Sequence, residues 1–254
     1  DRNTALGWSA MATNVDGDRN VAIGYGAMQT FEPANTATYN TAVGYVAGNA
    51  MTTAINNTFI GGLANALGVP GNQNTAVGSQ AMYNNADVEN TGIGYAALNA
   101  NTSGGYNTAV GSNVMSANTT GDSNVAVGQN ALDANTTASN NVAIGAAALG
   151  ANTTGTNNVM VGNSAGDAIT TSNNNTGVGH DVLGANTSGD TNTAMGSTAL
   201  NTNTTGSNNV AVGFGALTAN TSAADNVAVG TASLYVNTTG ASNVAVGSNA
   251  LQQN

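Results

Sequence analysis

A glycine that closes short blocks such as NTAVG and NVAIG recurs at Gly7, Gly24, Gly44, Gly61, Gly78, Gly94, Gly111, Gly128, Gly145, Gly162, Gly179, Gly196, Gly213, Gly230 and Gly247. The interval is 17 residues except for one step of 20 and one of 16, and both exceptions fall in the first hundred residues. Self-similarity at a fixed period marks a stacked-repeat architecture, because each repeat buries its apolar face only against its neighbours. The chain therefore reads as a single repeat domain over 1–254, less regular over 1–94 and regular over 95–254. Abundant Asn, Thr, Gly and Ala could describe a disordered low-complexity segment. A disordered segment has no reason to hold register over fifteen repeats.

Each position of the repeat has its own chemistry. Four residues before the marker glycine stands Asn in all fifteen repeats, among them Asn107, Asn124, Asn141, Asn158, Asn175, Asn192, Asn209, Asn226 and Asn243. Thr or Val follows, then a residue that is Ala in eleven repeats, then an apolar residue such as Ile144 or Val246. That is a short strand with period-two alternation. Ala and then Leu or Met come three and four residues after the marker, as in Ala131-Leu132, and a turn such as Asn118-Thr119-Thr120-Gly121 follows. Asn and Gly tolerate the left-handed angles of a turn.

A 17-residue unit is too short for a helix pair and suits one solenoid coil of two short strands and two turns. The expected fold is all-β, a parallel β-solenoid of about fifteen 17-residue coils. Stacked about 4.8 Å apart, they would give a rod on the order of 70 Å long. Stacking would let the Asn column form a ladder of side-chain amides. Three repeats lack Leu or Met at the usual position and carry Gly48, Asn65 and Gly166. Met51, Leu67 and Ile169 nearby are expected to supply the missing apolar side chain. Alternation also creates a second face of Ala and Gly. With the β-branched columns taken as the interior, that small-residue face is expected to be an interchain seam through Ala126 and Ala211.

Composition narrows the function classes. Arg2 and Arg19 are the only basic residues other than His180, and the net charge is -10. Electrostatic capture of nucleic acid or of an anionic membrane is excluded on that charge. Cysteine is absent, which removes disulfides, thiolate catalysis and cysteine-based metal sites. No apolar run reaches the 18 residues of a membrane-spanning helix, so no membrane insertion of this segment is expected.

Motifs such as NTAVGSQAM, NVAVGQNALDANTTASNNVAIG and NTAMGSTALNTNTTGSNNVAVG resemble the head repeats of trimeric autotransporter adhesins. They are similar also to the repeats of bacterial and phage tail-fibre-like surface proteins. The resemblance covers nearly the whole chain, although the best-known adhesin heads use shorter coils. It implies a left-handed β-roll, a parallel homotrimer, and an extracellular location on a cell, virion or fibre surface. It also implies an adhesive or stalk role and transfers no catalytic residue. A non-catalytic fibre module follows, with no cofactor, no metal, and a host-surface or glycan receptor as its partner.

Several residues are candidates for more than structure. Aromatics recur just after the marker at Trp8, Tyr25, Tyr45, Tyr95 and Phe214, where they could stack on sugar rings or merely stiffen the array. His180 with Asp181 lacks a nucleophile column and reads as a variable exposed position. Asp16-Gly17-Asp18 is too short an acidic turn for calcium, which takes six to eight oxygens. Asn118, Asn152, Asn203 and Asn237 match glycosylation sequons but also form the repeat's own turn. Thr119, Thr136, Thr153, Thr204 and Thr238 form a column that makes ice binding the alternative function. With no polar capping coil at either end, the sequence is expected to be a portion of a longer fibre.

Overall fold

Where the repeat places Thr or Val, a small residue and an aliphatic one, the chain is extended for three residues. A computed structural model describes residues 2–33 and 37–254 and shows fifteen such strands and, among those residues, no helix. They are β1 (Thr4–Leu6), β2 (Val21–Ile23), β3 (Thr41–Val43), β4 (Thr58–Ile60), β5 (Thr75–Val77), β6 (Thr91–Ile93) and β7 (Thr108–Val110). The remainder are β8 (Val125–Val127), β9 (Val142–Ile144), β10 (Val159–Val161), β11 (Thr176–Val178), β12 (Thr193–Met195), β13 (Val210–Val212), β14 (Val227–Val229) and β15 (Val244–Val246). The fold is an all-β parallel β-solenoid in two compact units, one ending at Asn124 and one covering Val125–Asn254.

In the first unit β1 to β7 pair in chain order, and in the second β8 to β15 do the same. Pairing is parallel and column on column: Val210 faces Val227, Ala211 faces Ala228 and Val212 faces Val229. Each coil carries one strand rather than the two expected. The rest of the coil turns through left-handed residues, which in the β8 coil are Asn130 (φ 56), Leu132 (φ 50) and Asn140 (φ 62). No other stretch of the described residues stays extended long enough to be a strand. Hydrogen bonds between coils nonetheless continue around the perimeter, as from Leu132 N to Ala148 O (3.0 Å) and from Ala134 N to Gly150 O (3.2 Å).

The NTTG residues are not the left-handed ones, contrary to the turn chemistry expected of them. Their glycine serves close approach instead: a Cβ on Gly155 would run into the Ser172 carbonyl and the Asn152 amide oxygen. The marker glycine needs both freedoms. Gly128 has φ +129, which L-residues avoid, and a Cβ there would meet the Gly145 carbonyl oxygen at 2.5 Å.

Inside and outside are reversed from the sequence expectation. Ala126 and Ala211 in the middle of their strands are 0% exposed, whereas Ile144 and Val178 on the other face are 39% and 37% exposed. The Ala column lines the coil interior, so the seam expected through Ala126 and Ala211 does not exist. The reason is room. A Cβ on Gly177, in that same column, would already meet Met160 Sδ at 2.5 Å and Val182 Cγ1 at 2.9 Å. With Leu or Met at the corner a coil this narrow takes a methyl group there, Phe59 and Met160 are accommodated beside Gly48 and Gly166, and the β-branched side chains go outside.

The interior is otherwise filled by the Leu or Met column, fully buried in Leu132, Leu149, Leu183 and Leu200. Two of the three expected substitutions keep that volume, since Met51 and Ile169 are buried. In both, the glycine makes way for a neighbour: a Cβ on Gly48 would meet Phe59 Cδ2 at 2.9 Å, and one on Gly166 would meet Ile169 Cδ1 at 2.9 Å. The third is different. Leu67 is 60% exposed and supplies nothing to the core. Asn65 is buried in its place, its Nδ2 donating to the carbonyls of Met82 (3.2 Å) and Asn85 (2.9 Å).

Candidate functional site

The Asn before each strand joins successive coils and is interior from Asn20 to Asn226, with Asn3 and Asn243 half-buried. The Asn158 backbone N–H donates to Asn141 Oδ1 at 3.0 Å, and Asn158 Nδ2 donates to the same oxygen at 3.2 Å. Asn141 Nδ2 in turn donates to the Gly155 carbonyl at 2.8 Å, which pins the turn beneath the strand. The arrangement repeats at Asn175 on Asn158, at Asn209 on Asn192 and at Asn226 on Asn209. In the first unit Asn107 donates through its backbone N–H to Asn90 Oδ1, and Asn124 does the same to Asn107. At Asn192 and Asn243 the backbone N–H likewise donates to the Oδ1 one coil back. These side chains are structural, closed off from any ligand.

A second interior Asn column was not foreseen. Asn203 Nδ2 donates to Asn186 Oδ1 (2.9 Å) and to the Gly206 carbonyl (2.8 Å), and Asn220 Nδ2 donates to Asn203 Oδ1 (2.9 Å). This is the Asn of the NTTG turn, and Asn118, Asn152, Asn203 and Asn237 are all 0% exposed. Buried, hydrogen-bonded amides are not glycosylation acceptors in the folded chain, so the sequons are part of the coil. The signal was in the sequence: where Asn is missing from this column the occupants are Phe31, Met51, Gly68 and Ile169. A solvent-facing turn would have accepted Ser or Asp. Interruption has a visible cost, because Asn152 Oδ1 has no donor where Ile169 occupies the next position.

The Thr column beside this turn spends its hydroxyls internally. Thr153 Oγ1 donates to the Thr170 carbonyl at 3.1 Å, and Thr204 Oγ1 to the Thr221 carbonyl at 2.8 Å. Thr136 donates likewise to Thr153 O, and Thr238 O accepts from Thr221. Thr119 O accepts from Thr102 Oγ1 at 3.0 Å.

The aromatic column is exposed throughout, with Trp8 at 67%, Tyr25 at 48% and Tyr45 at 59%. Three of its members are brought together. Trp8 stacks on Tyr25 with centroids 4.9 Å apart, and Tyr25 on Tyr45 at 5.4 Å. Tyr95 and Phe214 stand exposed elsewhere in the column and join no stack with these three.

The charged candidates are small. Arg2 Nη2 lies 2.8 Å from Asp18 Oδ2, and that hydrogen-bonded ion pair holds the Asp18 carboxyl down at about 2. Asp18 of the Asp16-Gly17-Asp18 turn is therefore engaged by an arginine. Burial pushes the carboxyls of Asp133 and Asp167 upward, and the nearby charge of Asp181 adds to the shift at Asp167. His180 Nδ1 sits 3.4 Å from Asp181 Oδ2 with both side chains exposed. Among the described residues no three His, Asp or Glu side chains converge as a metal site would require, and no helix is long and apolar enough to cross a membrane.

No protein-family model matches the chain, and no curated protein matches it.

Proposed function

We propose that the chain is a non-catalytic module of an extracellular fibre, adhesive or stalk-forming, which associates as a parallel homotrimer of left-handed coils. The observation that carries this reading is the outward face of the sheet. Every coil places Thr or Val and then Val, Ile, Leu or Met on it, and Ile60, Ile93, Ile144, Val178 and Met195 there are exposed. A repeated apolar face of this kind on a chain of low charge is a surface for association. The resemblance of NTAVGSQAM and its companions to adhesin-head and tail-fibre repeats supports a cell, virion or fibre surface location and a glycan or host-surface receptor.

The trimer face is then the β-branched face, not the Ala face. Light scattering should give three times the 24.7 kDa chain mass for the parent protein. Ile144→Glu with Val178→Glu should yield a folded monomer, because both side chains already face outward. A parent protein that is monomeric at micromolar concentration removes the trimer. Retention of the chain on fixed bacterial and animal cells tests adhesion separately.

Ice binding is the second reading, favoured by the regular Thr column. The hydroxyls of Thr153 and Thr204 are occupied by carbonyls of the next coil, which leaves that column mainly methyl groups to present. Thermal hysteresis in dilute solution of the folded protein separates the two readings directly.

A further inference from the structure

We infer that Gly62 and Ser79 form the floor of a shallow slot, open to solvent rather than an enclosed pocket, that binds neutral pyranose sugars against the free face of Tyr45. The inference rests on the adhesive reading above and names the site and ligand class for it. Stacked rings hide their faces from solvent. In the Trp8, Tyr25 and Tyr45 stack the interplanar angles are 16° and 17°, so each contact uses a face from both partners. Tyr25 is covered on both sides and offers its edge. Tyr45 is covered on one side only and is exposed.

The next two positions under Tyr45 are empty of large side chains. Backbone hydrogen bonds fix the order of this column: Leu63 N donates to Tyr45 O, Gln80 N to Gly62 O, and Ala96 N to Ser79 O. Tyr45, Gly62, Ser79 and Tyr95 therefore occupy successive coils. A Cβ placed on Gly62 would meet nothing within 4 Å. Tyr45 and Tyr95 are three coils apart, on the order of 14 Å at the spacing of paired strands. The stack above places one ring per coil, so two ring layers are missing between these tyrosines, and Ser79 brings a hydroxyl to the floor.

The chemistry of the slot selects its ligand. A pyranose presents an apolar face of C–H groups to an aromatic ring and hydroxyls at its rim. Acidic sugars are disfavoured, since the chain carries a net charge of -10 and two arginines. Those arginines are engaged elsewhere, Arg2 with Asp18 and Arg19 over the Tyr39 ring at 5.3 Å.

Gly62→Tyr combined with Ser79→Tyr provides the test, because the pair supplies both missing rings of the stack. Gly62 is open, Ser79 is exposed, and neither has a left-handed φ, so the variant should keep the parent circular dichroism and melting temperature. Cellohexaose, chitohexaose and polygalacturonate are titrated into the full chain by calorimetry. A neutral hexasaccharide should bind the parent, and polygalacturonate should not. The Gly62→Tyr, Ser79→Tyr pair and Tyr45→Ala should each weaken binding about tenfold, the scale of one lost aromatic contact. Phe214→Ala should leave it unchanged. Equal affinity of the parent, the Gly62→Tyr, Ser79→Tyr pair and Tyr45→Ala overturns the slot, as does failure of both neutral sugars to bind. A chain that binds none of the sugars yet is retained on cells loses the slot and keeps the adhesive reading. A chain that does neither loses both.

Discussion

Two neighbouring coils of the second unit, Val142–Asn158 and Val159–Asn175, fill the same interior with different residues. The first uses Ala143 in the strand, Leu149 at the corner and Asn152 in the turn, all fully buried. The second uses Met160, Gly166 and Ile169 at the same three places. Met160 and Ile169 are also fully buried, and a Cβ on Gly166 would meet Ile169 Cδ1 at 2.9 Å and Met160 Cγ at 3.0 Å. What is held constant is the volume inside the coil, not the residue at any one place. The price is a hydrogen bond, since Ile169 has no amide to offer Asn152 Oδ1. Apolar packing and polar ladder compete for the same position, and this coil has settled the competition in favour of packing.

The largest effect should come from mixing the two solutions. Gly166→Leu adds to the second coil the corner residue of the first while Met160 and Ile169 still fill its space. Overpacking of this kind costs about 1–3 kcal/mol. Leu in place of Gly at φ +60 adds about 1–2 kcal/mol. Denaturant unfolding of the second unit's residues in the full chain would register the loss. Adding Met160→Ala and Ile169→Asn converts the whole set to that of the first coil and restores a donor to Asn152. The triple variant should recover to within about 1 kcal/mol of the parent. If the losses of the three single variants simply add, volume compensation is not what links these residues.

A smaller difference should separate intact and interrupted rungs of the turn ladder. Asn203 accepts from Asn220 and donates to Asn186 and Gly206, so Asn203→Ala leaves neighbours short and should cost about 1–3 kcal/mol. Asn152 keeps its donations to Asn135 and Gly155 but accepts from no one, so Asn152→Ala should cost less by about 1 kcal/mol. In the strand ladder, Asn141→Asp keeps the acceptor for Asn158 but loses the donor to the Gly155 carbonyl. It should be destabilising by an amount comparable to Asn203→Ala. Melting curves of the three variants place them in order. Equal losses for Asn152→Ala and Asn203→Ala would mean the acceptor side of the ladder contributes nothing.

These comparisons also show what was legible in advance. The period, the Asn before each strand and the swaps at Met51 and Ile169 could be read because stacking imposes one chemistry on each column. Which strand face lies inside could not be read from hydrophobicity. Val outranks Ala on any transfer scale, yet with Leu or Met at the corner the cross-section of the coil leaves room for little more than the Ala methyl. The larger Phe59 and Met160 are buried there beside Gly48 and Gly166. That cross-section is set by the single strand per coil and the left-handed corners at residues such as Leu132 and Asn140. No propensity rule places Leu in that conformation. Leu67 misled for a related reason, since one residue of offset in a coil this tight turns a side chain from core to solvent. The aromatic column was visible at once, but the open floor at Gly62 becomes meaningful only when Trp8, Tyr25 and Tyr45 are seen to cover one another.

The smallest effect concerns two acids at matching places five residues beyond their marker glycines, Asp133 and Asp167. Burial holds both carboxyls above the ordinary aspartate value of 3.8, and only Asp167 also feels Asp181. A carboxyl whose folded pKa is raised favours the folded state while it is protonated. That contribution is present below 3.8 and is lost as pH rises through the raised value. Replacement by Asn removes the dependence. Asp167→Asn should therefore raise the melting temperature at pH 7, with the gain shrinking towards zero by pH 3. Asp133→Asn should show the same profile with a smaller gain, because it relieves burial without relieving repulsion. Raising the salt concentration should reduce the difference between the two variants, since it screens the Asp167–Asp181 repulsion and leaves burial untouched. Melting temperatures of both variants from pH 3 to 7, at low and high salt, provide the measurement. A gain for Asp167→Asn that grows on acidification would reverse the sign and show that the charged carboxylate, not the neutral acid, is the form the coil prefers.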